Sequence, residues 1–160
     1  MKVLIDADAC PVTEIAVKEA LKRKISVVLF CDTSHTIFYE GAETIVVSKG
    51  NDSADFALVN KTENGDLVIT QDYGLAAMCL SKSAYILNQD GKEYTDFNIG
   101  SLLTSRYENK KLRMAGKRTK GPKKRTKEQD ISFYNALCAI LDRITKFPDE
   151  VSAKFDIETV

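Results

Sequence analysis

The chain is short of the residues that name a chemistry at once. It has one histidine, His35, and four scattered cysteines, Cys10, Cys31, Cys79 and Cys138, with no C-x-x-C pair. The Cys/His ligand sets of zinc sites are therefore missing. A Ser/His/Asp grouping can be drawn from Asp32-Thr33-Ser34-His35, but no Gly-x-Ser-x-Gly elbow accompanies it, and His35 reads as a strand-end surface residue. No glycine-rich phosphate loop is present, which excludes nucleotide binding by that device. Three prolines and eight glycines are too few for a collagen-like or mucin-like chain. The longest apolar runs, Val27–Cys31 and Ala76–Leu80, fall far short of the ~18 residues of a membrane span. Met1-Lys2 leads directly into Val3-Leu4-Ile5 and then acid, which is not a signal peptide. Isolated, apolar-flanked cysteines fit a reducing compartment, so a cytoplasmic protein with no membrane partner is expected. Cys10, ahead of a helix, reads as a packed thiol.

What remains is 160 residues, 44% hydrophobic and 29% charged, an ordinary globular mixture. A chain of this length buries about 70% of its unfolded surface and needs neither disulfide nor metal to fold. One domain over residues 1–145 is expected, with a weakly determined tail at 146–160. The formal net charge is zero, but it is unevenly distributed. Residues 1–105 carry nine basic and fifteen acidic side chains, residues 106–127 eleven and one, and residues 128–160 three and seven. A basic block of this density points to a polyanionic partner.

Hydrophobic patterning gives the fold class. Lys2–Asp6, Ile25–Cys31, Thr44–Val47, Leu67–Thr70 and Ala84–Leu87 read as short strands, apolar throughout. Between them, Pro11–Arg23, Asp52–Asn60 and Tyr73–Leu80 read as helices, with proline favoured at a helix start. Apolar strands alternating with helices indicate a three-layer α/β/α domain around a mostly parallel sheet of about five strands. Beyond a turn at Asn88–Gly91, Phe97–Glu108 reads as helical and Met114–Arg125 as an exposed loop. Thr126-Lys127-Glu128-Gln129 matches a capping box opening a helix over 128–145. Phe133, Tyr134, Leu137, Ile140, Leu141 and Ile144 share its apolar face.

Carboxylates gather where such folds bind ligands, beyond the carboxyl ends of parallel strands. Asp6 and Asp8 follow the first strand, Asp52 and Asp55 begin a helix, and Asp66 and Asp72 flank the fourth strand. Singly, several have structural readings: Asp52 and Asp8 as helix caps, Asp66 as a turn residue. Asp6 and Asp72 are harder to explain that way, because an acid ending a buried strand needs a partner. Converging carboxylates repel one another, and hard divalent cations such as Mg²⁺ or Mn²⁺ relieve that repulsion through oxygen-only ligation.

The motif Asp6-Ala7-Asp8-Ala9-Cys10-Pro11 resembles the opening of the YaiI/YqxD family of uncharacterised bacterial proteins. Further matches follow in order: Gly50-Asn51-Asp52-Ser53-Ala54-Asp55, then Gly65 through Tyr73, then Asn88 through Gly91. Arg113, Gly116, Gly121-Pro122, Asp130 and Phe133 complete a resemblance running from Lys2 to Asp142. The family looks like a branch of the PIN-like fold, whose best-known members are metal-dependent ribonucleases. That likeness implies catalytic roles for Asp6, Asp55 and Asp72, and metal ligation by Asp6, Asp8, Asp52, Asp55 and Asp72.

The basic block supplies the other half of such a reading. Arg106, Lys110, Lys111, Arg113, Lys117, Arg118, Lys120, Lys123, Lys124, Arg125 and Lys127 suit salt-sensitive contact with an RNA backbone. With only Tyr107 interleaved, base stacking is minor. A solvated loop balancing an acidic body is the plainer reading of the same residues. The leading expectation is a divalent-metal-dependent nuclease acting on RNA. A haloacid-dehalogenase-like phosphatase is the rival, since Val3-Leu4-Ile5-Asp6-Ala7-Asp8 fits its opening, with Asp6 as nucleophile and Asp8 as acid/base. A non-catalytic nucleic-acid- or protein-binding module is the third, because Tyr73-Gly74 stand where many PIN nucleases place a further acid.

Overall fold

The structure is a computed structural model that describes residues 1–8, 10–35, 37–50, 53–116 and 123–146. Its elements, in chain order, are β1 (Lys2–Asp6), α1 (Thr13–Lys22), β2 (Ser26–Asp32), β3 (Glu43–Val47), α2 (Ser53–Lys61), β4 (Leu67–Ile69), α3 (Tyr73–Leu80), β5 (Tyr85–Leu87), β6 (Glu93–Tyr94), α4 (Asp96–Met114) and α5 (Lys127–Lys146). The strands form one sheet ordered β3-β2-β1-β4-β5-β6. Every pairing is parallel except β5 with β6.

β1 is fully buried at Val3, Leu4 and Ile5 because helices cover both faces. Val3 and Ile5 pack with Ala16 and Val17 of α1 and with Phe133, Leu137 and Leu141 of α5. Leu4 faces the other way, toward Leu58 of α2, Leu75 and Cys79 of α3 and Ile99 of α4. The expected three-layer α/β/α architecture is therefore present, with α1 and α5 on one side and α2, α3 and α4 on the other.

The sheet has six strands where about five were expected. The extra one, β6, is two residues long and pairs Tyr94 with Ile86 across the 88–91 turn. Asn88 builds that turn: its Oδ1 accepts from the backbone N–H groups of Asp90 and Lys92 at 2.9 and 2.8 Å. Helix α4 runs six residues past the expected end at Glu108, so Lys110, Lys111 and Arg113 lie on a helix. Its start is fixed by Asn98, whose Oδ1 accepts from the Thr95 backbone N–H at 3.0 Å. The Thr126/Gln129 box forms as read: Gln129 Oε1 accepts from the Thr126 backbone N–H at 2.9 Å, and Thr126 Oγ1 from that of Gln129 at 3.4 Å. The tail beyond Lys146 lies outside the described residues, as do Asp52, Lys117, Arg118 and Lys120.

Gly91 locks the 88–91 turn against α5. Its φ is +81°, and a Cβ there would lie 2.8 Å from the Ser132 carbonyl oxygen and 3.0 Å from Ala136 Cβ. Left-handed strain and a backbone clash act together, so Gly91→Ala should lose about 2–4 kcal/mol of stability in urea unfolding. Gly65, also at positive φ (+80°), has nothing within 4 Å of the same atom, so Gly65→Ala should lose less.

Candidate functional site

The chain reverses its direction of growth across the sheet at β1 and β4: β2 and β3 lie on one side of the pair, β5 and β6 on the other. Open α/β sheets bind ligands outside the carboxyl ends of the strands at this kind of switch point. Side chains two apart on a strand share a face. Asp6 therefore follows Leu4, and Thr70 follows Val68, toward the layer of α2, α3 and α4. The register Ile5↔Ile69 sets the two next to each other, and Thr70 Oγ1 donates to Asp6 Oδ2 at 2.9 Å.

The Asp6 carboxyl is strongly perturbed. Burial pushes its carboxyl from an ordinary 3.8 up to about 6, against the Thr70 hydrogen bond and with the charges of Asp55, Asp8 and Asp72 adding to the rise. Three of the four acids expected from the sequence to act with Asp6, namely Asp8, Asp55 and Asp72, thus lie within electrostatic reach of it, and the fourth, Asp52, lies outside the described residues. Asp55 stands in the first turn of α2.

Asp72 is the N-cap of α3. Its Oδ1 accepts from the backbone N–H groups of Gly74 and Leu75 at 2.7 and 3.0 Å, and its own N–H donates to Thr70 Oγ1 at 3.0 Å. Its Oδ2 accepts from Arg106 Nη1 at 3.2 Å. Burial works to raise this carboxyl, but the Leu75 and Gly74 amides and the Arg106 guanidinium outweigh it and hold it below its ordinary value. Asp6 and Asp72, with Gln71, Tyr73 and Arg106, line an open cleft of about 440 Å³. A second cavity of about 10 Å³, the size of one water molecule, touches Asp6, Cys10, Thr70 and Gln89.

Asp8 faces β2: its Oδ2 accepts from the Asp32 backbone N–H at 2.9 Å. Its Oδ1 is enclosed and, though His35 Nδ1 stands 3.2 Å away, the angles do not make a hydrogen bond. Among the described residues, the trio whose ligand atoms all converge within 4.8 Å is Asp8, Asp32 and His35, not Asp6, Asp55 and Asp72. Neither Asp32 nor His35 stands among the expected ligands, and only their closeness to the Asp6-Ala7-Asp8 motif across β1 and β2 marks them.

Asp66 belongs elsewhere. It sits at the amino end of β4, 1% exposed, accepting from the Lys2 and Glu63 backbone N–H groups at 2.8 and 2.9 Å and pairing with Lys2 Nζ at 2.7 Å. It fastens the start of β1 to β4 and takes no part in the crevice, contrary to its grouping with the other acids.

The basic residues divide by role. Arg106, Lys110, Lys111 and Arg113 are exposed on α4, as are Lys123 and Lys124 in the segment before α5. Lys111 Nζ lies 5.3 Å from the centre of the Tyr107 ring. Arg125 is different: its guanidinium bonds Asp130 at 2.6 Å, Asp90 at 3.0 Å and the Gln89 carbonyl oxygen at 2.6 Å. It ties the end of the basic segment to the 88–91 turn, which follows the carboxyl end of β5.

These features define a class: an open, mostly parallel α/β protein with an acid-lined crevice at the switch point of its sheet. Comparison with known sequences is more particular. Residues 4–143 match the family described as "Uncharacterized BCR, YaiI/YqxD family", and the chain belongs to that family. A UPF0178 protein of Exiguobacterium sibiricum is 45% identical over 91% of this chain and 99% of its own. Another from Oceanobacillus iheyensis is 48% identical over 83% of this chain and 93% of its own. A third, from Ruminiclostridium cellulolyticum, is 44% identical over 94% and 99%. No solved structure matches. Among the described residues no helix is long and apolar enough to cross a membrane.

Proposed function

We propose that this chain is a divalent-cation-dependent phosphodiesterase of PIN-like type that hydrolyses RNA. The single observation carrying the proposal is the buried Asp6 carboxyl at the switch point, pushed up to about 6 with Asp8, Asp55 and Asp72 in range. An acid held that far from its ordinary value, in a cleft with defined charge partners, is the kind of group that functional sites tune. The donor set is made of carboxylate oxygens, with hydroxyl and amide groups beside them, which fits Mg²⁺ or Mn²⁺ better than a softer ion.

Asp6 and Asp72 would hold the cation, with Asp55 adding negative charge from α2 and Asp8 or Asp52 assisting. The bound ion supplies Lewis acidity toward a phosphodiester oxygen. Thr70 fixes the Asp6 rotamer through its hydroxyl and, by accepting from the Asp72 N–H, ties the two acids into one unit. Along α4, Arg106, Lys110, Lys111 and Arg113 would hold the RNA backbone, with Lys123 and Lys124 adding charge from the segment before α5. Water adds to phosphorus, the bond to the leaving ribose oxygen breaks, and a phosphomonoester and a hydroxyl result.

Purified protein in Mn²⁺ should cleave single-stranded or structured RNA, and EDTA should stop it. Asp72→Asn should lower the rate at least about a hundredfold, the loss typical of removing a charge-stabilising group. Absence of cleavage in either cation, or an unchanged rate in Asp72→Asn, overturns the proposal. Binding of RNA equally well with and without cation, and no cleavage, selects the non-catalytic module. Hydrolysis of p-nitrophenyl phosphate in place of RNA selects the phosphatase.

A further inference from the structure

Among the described residues, Arg106 is placed unlike any other basic residue. It is the basic side chain that lines the 440 Å³ cleft, and it does so from α4, the last helix of its layer. Its guanidinium meets Asp72 Oδ2 at 3.2 Å while Asp72 Oδ1 is held by two backbone N–H groups of α3. Those amides fix the carboxylate, so Oδ2 is the oxygen Asp72 can offer to anything else. A divalent cation on that oxygen would repel a guanidinium held beside it. The long Arg106 side chain, half exposed, is the part free to swing away.

Resting on the nuclease reading, we propose that Arg106 is the positioning residue for the RNA phosphate, parked on Asp72 Oδ2 until a cation takes that oxygen. Released, the guanidinium reaches into the same cleft and takes a phosphate oxygen in the forked geometry that suits arginine. Its departure and its arrival are both favoured when cation and RNA are bound together. Each ligand therefore raises the affinity for the other by the same factor.

The test is Arg106→Gln, which removes the charge from a half-exposed helical position and leaves the fold intact. Mn²⁺ affinity, read without RNA from the free-ion electron paramagnetic resonance signal, should rise about three- to fivefold, because the competitor is gone. Affinity for a fluorescent single-stranded phosphorothioate RNA in the presence of Mn²⁺ should fall about three- to tenfold, and the salt dependence there should become shallower by about 0.7 in log–log slope, one phosphate contact. In EDTA, where the guanidinium stays on Asp72, the change should be smaller. Arg106→Lys, which keeps the charge, should return Mn²⁺ affinity toward that of the unaltered protein. A residue that merely braces α4 predicts no gain in Mn²⁺ affinity. Unchanged or weaker Mn²⁺ binding by Arg106→Gln, or unchanged RNA binding in Mn²⁺, overturns the Arg106 proposal alone. Failure of the unaltered protein to bind Mn²⁺ overturns the nuclease reading and this proposal with it.

Discussion

Replacing Asp6 with asparagine should make the protein inactive and, in the absence of divalent cation, more stable. The two effects have one cause. An Asp in the unfolded chain ionises near 3.8, whereas the folded carboxyl keeps its proton until about 6. Between these values the folded state binds the extra proton, so stability falls as pH rises from about 4 to 6. Above 6 the penalty is complete, and two pKa units correspond to about 3 kcal/mol. Asparagine keeps an oxygen to accept from Thr70 Oγ1 and never ionises. Asp6→Asn should therefore gain about 2–3 kcal/mol in urea at pH 7.5 with EDTA, and under about 1 kcal/mol at pH 4.5. The depressed Asp72 shift works below its ordinary 3.8, where stability is lost as pH falls, so it leaves that window clear. Adding Mn²⁺ should raise the melting temperature of the unaltered protein and leave Asp6→Asn where it was. A variant less stable than its parent in EDTA at pH 7.5 would show that Asp6 serves the fold.

Phe133→Ala should be the most destabilising single truncation in α5, at about 3–5 kcal/mol. The ring is fully buried on the face that α5 presents to Val3, Ile5 and Leu87. Its Cα also lies 3.2 Å from where a Cβ on Gly91 would be, so the helix and the 88–91 turn share one contact. A domain of this size is stable by about 5–15 kcal/mol, and the loss is a large part of that. Loosening this contact also frees Gln89, which lines the small cavity with Asp6 and receives Arg125 through its carbonyl oxygen. Urea denaturation followed by circular dichroism reads the first effect. Phe133→Leu, which refills most of the volume, should recover more than half of the loss.

Local chemistry explains which parts of the molecule could be read from its sequence. β1 and β2 announce themselves as unbroken apolar runs, and α5 as a capped helix with a single apolar face. β6 does not, since two residues carry no periodicity and its pairing depends on the turn Asn88 builds. The end of α4 was hidden because Lys110, Lys111 and Arg113 suit an exposed helix as well as a loop. In the site, Asp6 and Asp72 were visible as acids at strand ends. Asp66 was grouped with them because proximity in sequence to a strand does not reveal which end of the sheet it occupies. Thr70, Asp32, His35 and the Arg106–Asp72 contact depend on strand register and on where α4 crosses. No short window of residues contains that information.

The position of β1 in the sheet has a consequence for how the molecule comes into being. The first strand made is flanked on one side by β2 and on the other by β4. Asp8 meets its β2 partner Asp32 across 24 residues, but Asp6 meets Thr70 across 64. Closing the longer loop is the slower event, because more chain must be ordered before the contact returns anything. On the ribosome, β1 and β2 can associate while β4 is still unmade, with the Asp6 carboxyl open to water on that flank. The repulsion among the acids then arises late, when β4 docks and buries Asp6. If the crevice takes the proposed cation, an ion available at that moment would relieve this repulsion and speed the last step of assembly.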